Sequence, residues 1–146
     1  MPALDIAQII SQAKLGSTRK DAQIDACEPF AAALFDVLSS AHIDATVCTA
    51  TFRLSHRRLP LWAHAVIQSD GIFYDSMGVF NHDVVRKRQR IHKNVRTELK
   101  LEKDIRDFNE KEWSEMHKFY FEALSKSLNN QKFKTNSQSS KISPPT

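Results

Sequence analysis

The sequence predicts an α+β fold: a core helix that begins at a cysteine, packed on a small antiparallel sheet, with an additional helix toward the C-terminus. Three observations predict it. The stretch EPFAAALFDVLSSAHI (28–43) repeats apolar residues every three or four positions, the period of a helix with one buried face. The stretch 44–76 instead alternates β-branched and apolar residues with small or polar ones and is broken by Asp70-Gly71. The stretch NEKEWSEMHKFYFEALSKSL (109–128) returns to the helical period.

In chain order, Leu4, Ile6, Ile9 and Ile10 lie near helical spacing and predict a first short helix, and KLGSTRKDAQID (14–25) then reads as a polar loop. The helix over 28–43 takes Pro29 in its first turn, where a missing N–H costs nothing. Asp25 is its candidate N-cap, and Phe30, Ala33, Leu34, Val37 and Leu38 form its buried face. Cys27 therefore stands at the helix N-terminus. DATVCTATFRL, LWAHAVIQ and IFYDS read as three strands, the last two joined in a hairpin at Asp70-Gly71. Gly78 ends the hairpin region. Segment 81–93 reads as a helix, and 94–108 is open between strand and helix. In the last helix Asn109 is the candidate N-cap with Glu112 completing a capping box, and Trp113, Met116, Phe119, Tyr120 and Leu124 point inward. Residues 1–128 thus form one domain, and the apolar-poor 129–146 reads as a disordered tail.

Composition narrows the function classes. With 146 residues, 41% apolar and 26% charged, the chain has the balance of one ordinary globular domain. No apolar run is long enough to span a bilayer, and the first residues lack the pattern of a secretory signal, so the expectation is a cytoplasmic protein with no membrane partner. Two cysteines, Cys27 and Cys48, make no disulfide framework and are expected reduced. No ligand spacing for a metal is present, and no cofactor is expected. The net charge of +4 is concentrated in VVRKRQRIHKNVR (84–96), where Arg86, Lys87, Arg88, Arg90 and Lys93 form a candidate partner-binding set. A solvated basic helix or loop is the plainer reading. Nucleic acid is the weaker partner because few aromatics are interleaved for stacking.

Three residues in the order Cys27, His64, Asp75 suit one chemistry. A thiol at a helix N-terminus is favoured as thiolate, the nucleophilic form. A histidine on a neighbouring strand can take its proton, and a carboxylate can hold the imidazole tautomer. With Asp70-Gly71 as a two-residue turn, Ser69 pairs with Ile72 and Val66 faces Asp75, which makes Asp75 a diagonal neighbour of His64 on one face of the hairpin. Diagonal pairs sit about 7–8 Å apart, within reach of an imidazole and a carboxylate. Taken singly, Cys27 reads as a small buried hydrophobe, His64 as a core histidine and Asp75 as a turn former; their order and placement favour the constellation. Cys48 and Trp62 read as packing residues. His42, His56, His82, His92 and His117 read as surface residues, with His82 a weaker rival to His64.

A cysteine opening a helix, followed by HAV and DGIFYDSMG, resembles the papain-like and transglutaminase-like cysteine enzymes of bacteria and phages over about 21–80. The resemblance implies Cys27 as nucleophile, His64 as base, Asp75 as orienter and Gln23 as a candidate oxyanion donor. It implies cysteine-dependent acyl transfer on a protein or peptide: peptidase, amidase, deamidase or transglutaminase-like. The alternative is an inactive scaffold that binds an acidic partner or nucleic acid through 84–96.

Overall fold

Among the described residues five helices and five strands build this molecule, with tight two-residue turns at 70–71 and 76–77 joining successive strands. The computed structural model describes residues 4–24, 27–103 and 114–142, excepting the side chains of 21, 23, 24, 114 and 133–142. Helices α1 (Ile6–Gln12), α2 (Thr18–Ile24) and α3 (Cys27–Ser40) come first. Strands β1 (Thr46–Leu54), β2 (Trp62–Ser69), β3 (Ile72–Asp75) and β4 (Gly78–Phe80) follow, then helix α4 (His82–Arg88), strand β5 (Thr97–Lys103) and helix α5 (Ser114–Ile142). The five strands form one antiparallel sheet in the order β4-β3-β2-β1-β5. The α+β class, with a cysteine-bearing helix on a small sheet and a C-terminal helix, is the one the sequence predicts. Among the described residues no helix is long and apolar enough to cross a membrane.

Asp70 and Gly71 both take positive φ, 52° and 78°, and form the tight β2–β3 hairpin turn, with Ser69 opposite Ile72 as the sequence pattern requires. The sheet separates two apolar clusters. On one face, Val47, Ala65, Ile67 and Tyr74 pack against α1, α3 and α5. Phe30 of α3 meets Tyr120 of α5 edge to face at 5.3 Å. On the other face, Cys48, Ala50, Phe52, Val66 and Phe80 pack with Val85 of α4 and with Leu99 and Leu101 of β5. Charged Glu98, Lys100 and Glu102 alternate with those leucines along β5, which gives this edge strand a charged side and discourages pairing with another chain.

Several elements depart from the sequence reading. Segment 18–24 is helical where a loop was expected; its polar run hides the pattern, and Arg19 anchors it by donating to the carbonyls of Ile10, Ala13 and Ser76. The ambiguous 94–108 contains strand β5. In α5 the seam is Tyr120, Leu124 and Leu128, while Met116 and Phe119, expected inward, are 39% and 44% exposed. Asn109, Glu112, Trp113 and the Asp25 cap lie outside the described residues. Helix α5 also runs past Leu128, through Ile142. Gln131 is buried and its side-chain oxygen accepts from the backbone N–H of Asp5 at 2.9 Å, so this side chain, placed in the tail by composition, closes against the start of α1.

Candidate active site

Cys27 is the first residue of α3, half-buried against the helical cluster. The apolar face of α3 docks the helix on the sheet and so aims its N-terminus at the middle of β2. His64 lies in the first half of β2, and its side chain is buried. Asp75 ends β3 and is 1% exposed.

Where β3 stops decides the geometry. Its ladder with β2 runs from Ser69↔Ile72 to Ile67↔Tyr74 and ends there. A two-residue hairpin makes Ser69–Ile72 a hydrogen-bonded pair, so alternate residues of β2, Ile67 and then Ala65, turn their backbone groups toward β3. At Ala65 the partner strand is gone, and its N–H is left to act on the Cys27 sulfur, which it helps hold toward the thiolate. The missing rung is the place where the thiol enters.

Asp75 is saturated with donors. Its Oδ2 accepts from His64 Nε2 at 3.2 Å and from Arg88 Nη1 at 2.6 Å. Its Oδ1 accepts from Arg88 Nη2 at 3.1 Å and from the Met77 backbone N–H at 3.0 Å. The Met77 bond sits in the tight β3–β4 turn, which Gly78 completes at φ 110°. Because a carboxylate only accepts, His64 Nε2 must carry the proton it shares with Asp75. That leaves Nδ1 for Cys27, the other group that interacts with this ring. Nδ1 of His64 and the indole N–H of Trp62 are the buried side-chain polar atoms without a hydrogen bond of ordinary geometry among the described residues. Both belong to this site.

The electrostatics follow. Burial alone pushes the Cys27 thiol up, but its bonds to His64 and to the Ala65 N–H outweigh that and hold it below the ordinary thiol value, against an opposing push from Glu28. Burial likewise disfavours charge on His64, yet its bonds to Asp75 and Cys27 prevail and raise it to about 9. For Asp75, burial is overcome by His64 and Arg88, and its carboxyl lies below the usual range. The three shifts run the same way, toward thiolate, imidazolium and carboxylate side by side.

A cleft of about 500 Å³ opens beside His64, lined by Trp62, Ala63, Phe80, Val85, Arg88 and Gln89. Trp62 meets the imidazole edge-on at 6.1 Å and stacks on Phe52 at 5.2 Å, so it serves both as packing and as a wall of the cleft.

The structure thus brings Cys27, His64 and Asp75 together from three elements. Gln23 lies on α2, and its side chain is outside those described. Of the basic set, Arg88 and Arg86 face inward instead of toward a partner: Arg88 clamps Asp75, and Arg86 donates to the carbonyls of Val95 and His92 and to Thr97 Oγ1. Lys87, Arg90 and Lys93 remain exposed. The role of Arg88 escaped sequence reasoning because a run of cations looks alike residue by residue; only the α4 turn, capped by Asn81 accepting from Val84 N–H, selects which one points back. His82, the rival histidine, bonds Thr97 Oγ1 at 2.8 Å, and His117 bonds Asp36 at 2.6 Å. Cys48 is buried mid-strand. Among the described residues no cluster of His, Cys, Asp and Glu could hold a metal ion.

Comparison with known proteins adds no relative: no family model, no curated protein and no solved structure matches the chain significantly.

Proposed function

We propose that the protein is a cysteine-dependent acyl-transfer enzyme of the papain-like or transglutaminase-like type, acting on a protein or peptide amide. The observation that carries this reading is the convergence of Cys27, His64 and Asp75, with His64 Nε2 bonded to Asp75, the thiol lowered and the imidazole raised. The Cys27 thiolate attacks the amide carbonyl carbon, and the carbonyl electron pair moves onto oxygen. The oxyanion collapses, the C–N bond breaks, and the His64 imidazolium gives its proton to the leaving amine. A thioester on Cys27 remains. Water or a second amine, deprotonated by the now neutral His64, attacks it and regenerates the thiolate. Asp75 keeps Nε2 protonated so that Nδ1 faces the sulfur, and Arg88 keeps Asp75 in place. The positive end of α3 lies where negative charge develops.

Intact-mass analysis after brief exposure to an activated ester, p-nitrophenyl acetate, tests the reading. The expected result is one acetyl group on Cys27 in the Cys48→Ser protein, removed by hydroxylamine, and absent from His64→Ala. Acetylation spread over lysines with none on Cys27 would contradict it. The second reading, a non-catalytic scaffold binding an acidic partner, draws on the exposed Lys87, Arg90 and Lys93, and predicts no acyl-enzyme at all.

A further inference from the structure

One end of the sheet carries an unused cationic surface. Strand β1 ends at Leu54 opposite Thr97, the start of β5, and β2 begins at Trp62 opposite Phe52. The loops 55–61 and 89–96 therefore leave the sheet side by side, and the Ser55 N–H donates to the Arg96 carbonyl at 2.9 Å, joining them. Arg57 and Arg58 on the first loop, and Lys87, Arg90, Lys93 and Arg96 on or beside the second, are all exposed, and none of the six forms an ion pair among the described residues. An open groove of about 950 Å³ runs between Ser55 and the end of α4, lined by Lys87, Arg90, Lys93 and Arg96. Two carboxylates also line it, Asp83 and Glu98, and Glu98 is paired with Arg53.

Apolar groups are set among these charges. Leu59 is 80% exposed, Leu61 50% and Val95 37%. Exposed apolar side chains beside cations match a partner that is acidic and apolar by turns. A nucleic acid would instead ask for exposed aromatic rings on which bases stack. Neither loop carries a Phe, Tyr or Trp, and Trp62, which follows the first loop, is already stacked on Phe52. The surface also adjoins the candidate active site. Helix α4 turns Val85 and Arg88 to the cleft beside His64 and Arg86 and Lys87 to the basic groove. Leu61 leads directly into Trp62, which walls that cleft.

We infer that the paired loops 55–61 and 89–96 dock an acidic polypeptide segment carrying apolar residues, and that this segment is the substrate chain leading into the cleft. The substrate role rests on the acyl-transfer reading; the docking does not.

Fluorescence anisotropy tests it with a labelled peptide of Glu-Glu-Leu repeats, a matching Lys-Lys-Leu peptide and single-stranded oligothymidylate of the same charge as the acidic peptide. The expected result is salt-sensitive binding of the Glu-Glu-Leu peptide alone. Arg57→Glu with Arg58→Glu, or Lys87→Glu with Arg90→Glu, should each weaken it by about tenfold, and Leu59→Ser by several-fold. All are exposed positions, so folding is not at stake. Equal binding of the two peptides, or loss from one loop only, would overturn the joint surface; tighter binding of the oligonucleotide would overturn the choice of partner. Alkylation of Cys27 in the wild type, run beside these titrations, reads the catalytic proposal separately: an inert thiol with peptide binding intact removes the reaction and keeps the docking surface.

Discussion

Asp75 shows how one buried carboxylate can be held ionised. Leaving a charge in an apolar sheet costs several kcal/mol unless donors surround it. Here His64, Met77 and both ends of the Arg88 guanidinium do so. The charge then acts on the histidine. Because His64 is raised to about 9, acyl transfer that needs the imidazolium should hold through neutral pH and fall as pH rises through about 9. Asp75→Asn keeps an acceptor but removes the charge; the high-pH fall should move to lower pH, and the Cys27 titration should move up. Rates of acetylation and alkylation against pH check both limbs, and an unmoved high-pH limb in Asp75→Asn would separate Asp75 from the histidine. Cys27, His64 and Asp75 were legible in the sequence because each stands at a local landmark: a helix start, a strand, the strand after a tight turn. Arg88 was not, because its role depends on a contact across thirteen residues that no local pattern encodes.

At the scale of elements, the site depends on where strands end. The β2–β3 ladder was legible from Asp70-Gly71, a pair suited to the successive positive φ values of a two-residue hairpin turn. Strand β4 was not, since three residues carry too little pattern to distinguish them from loop. Yet the β3–β4 turn sets the carboxylate. Gly78 sits at φ 110°, where a Cβ is strained although no heavy atom stands in its way. Gly78→Ala should therefore cost about 1–3 kcal/mol from backbone strain alone. Urea unfolding checks the loss, and a change below about half a kcal/mol would mean that the turn tolerates a side chain. Helix α2 was hidden for a different reason. Its described contacts are mostly polar: Arg19 reaches carbonyls of α1 and of the β3–β4 turn, and Ser76 and Tyr120 donate to the carbonyls of Arg19 and Thr18, with Ala22 alone among its described side chains in the core.

For the whole molecule, the sheet divides the work. One face packs the helices and fixes the N-terminus of α3; the other carries His64, Asp75, the cleft and α4. The thiol reaches the histidine past the end of the β3 ladder, at the Ala65 N–H. Composition made the α+β class legible, since helical and strand periods occupy separate stretches. Gln131, a polar residue in a polar run, gave no sequence sign of its bond to the N–H of Asp5, a contact across the length of the chain. The central claim is that Cys27 is a thiolate activated by His64. The most direct measurement is the pH dependence of Cys27 alkylation by iodoacetamide in the Cys48→Ser protein, with and without His64→Ala. The account predicts an apparent pKa well below the free-thiol value of about 8.5, rising when His64 is removed. A Cys27 that titrates like a free thiol in both proteins, or does not react, would contradict it.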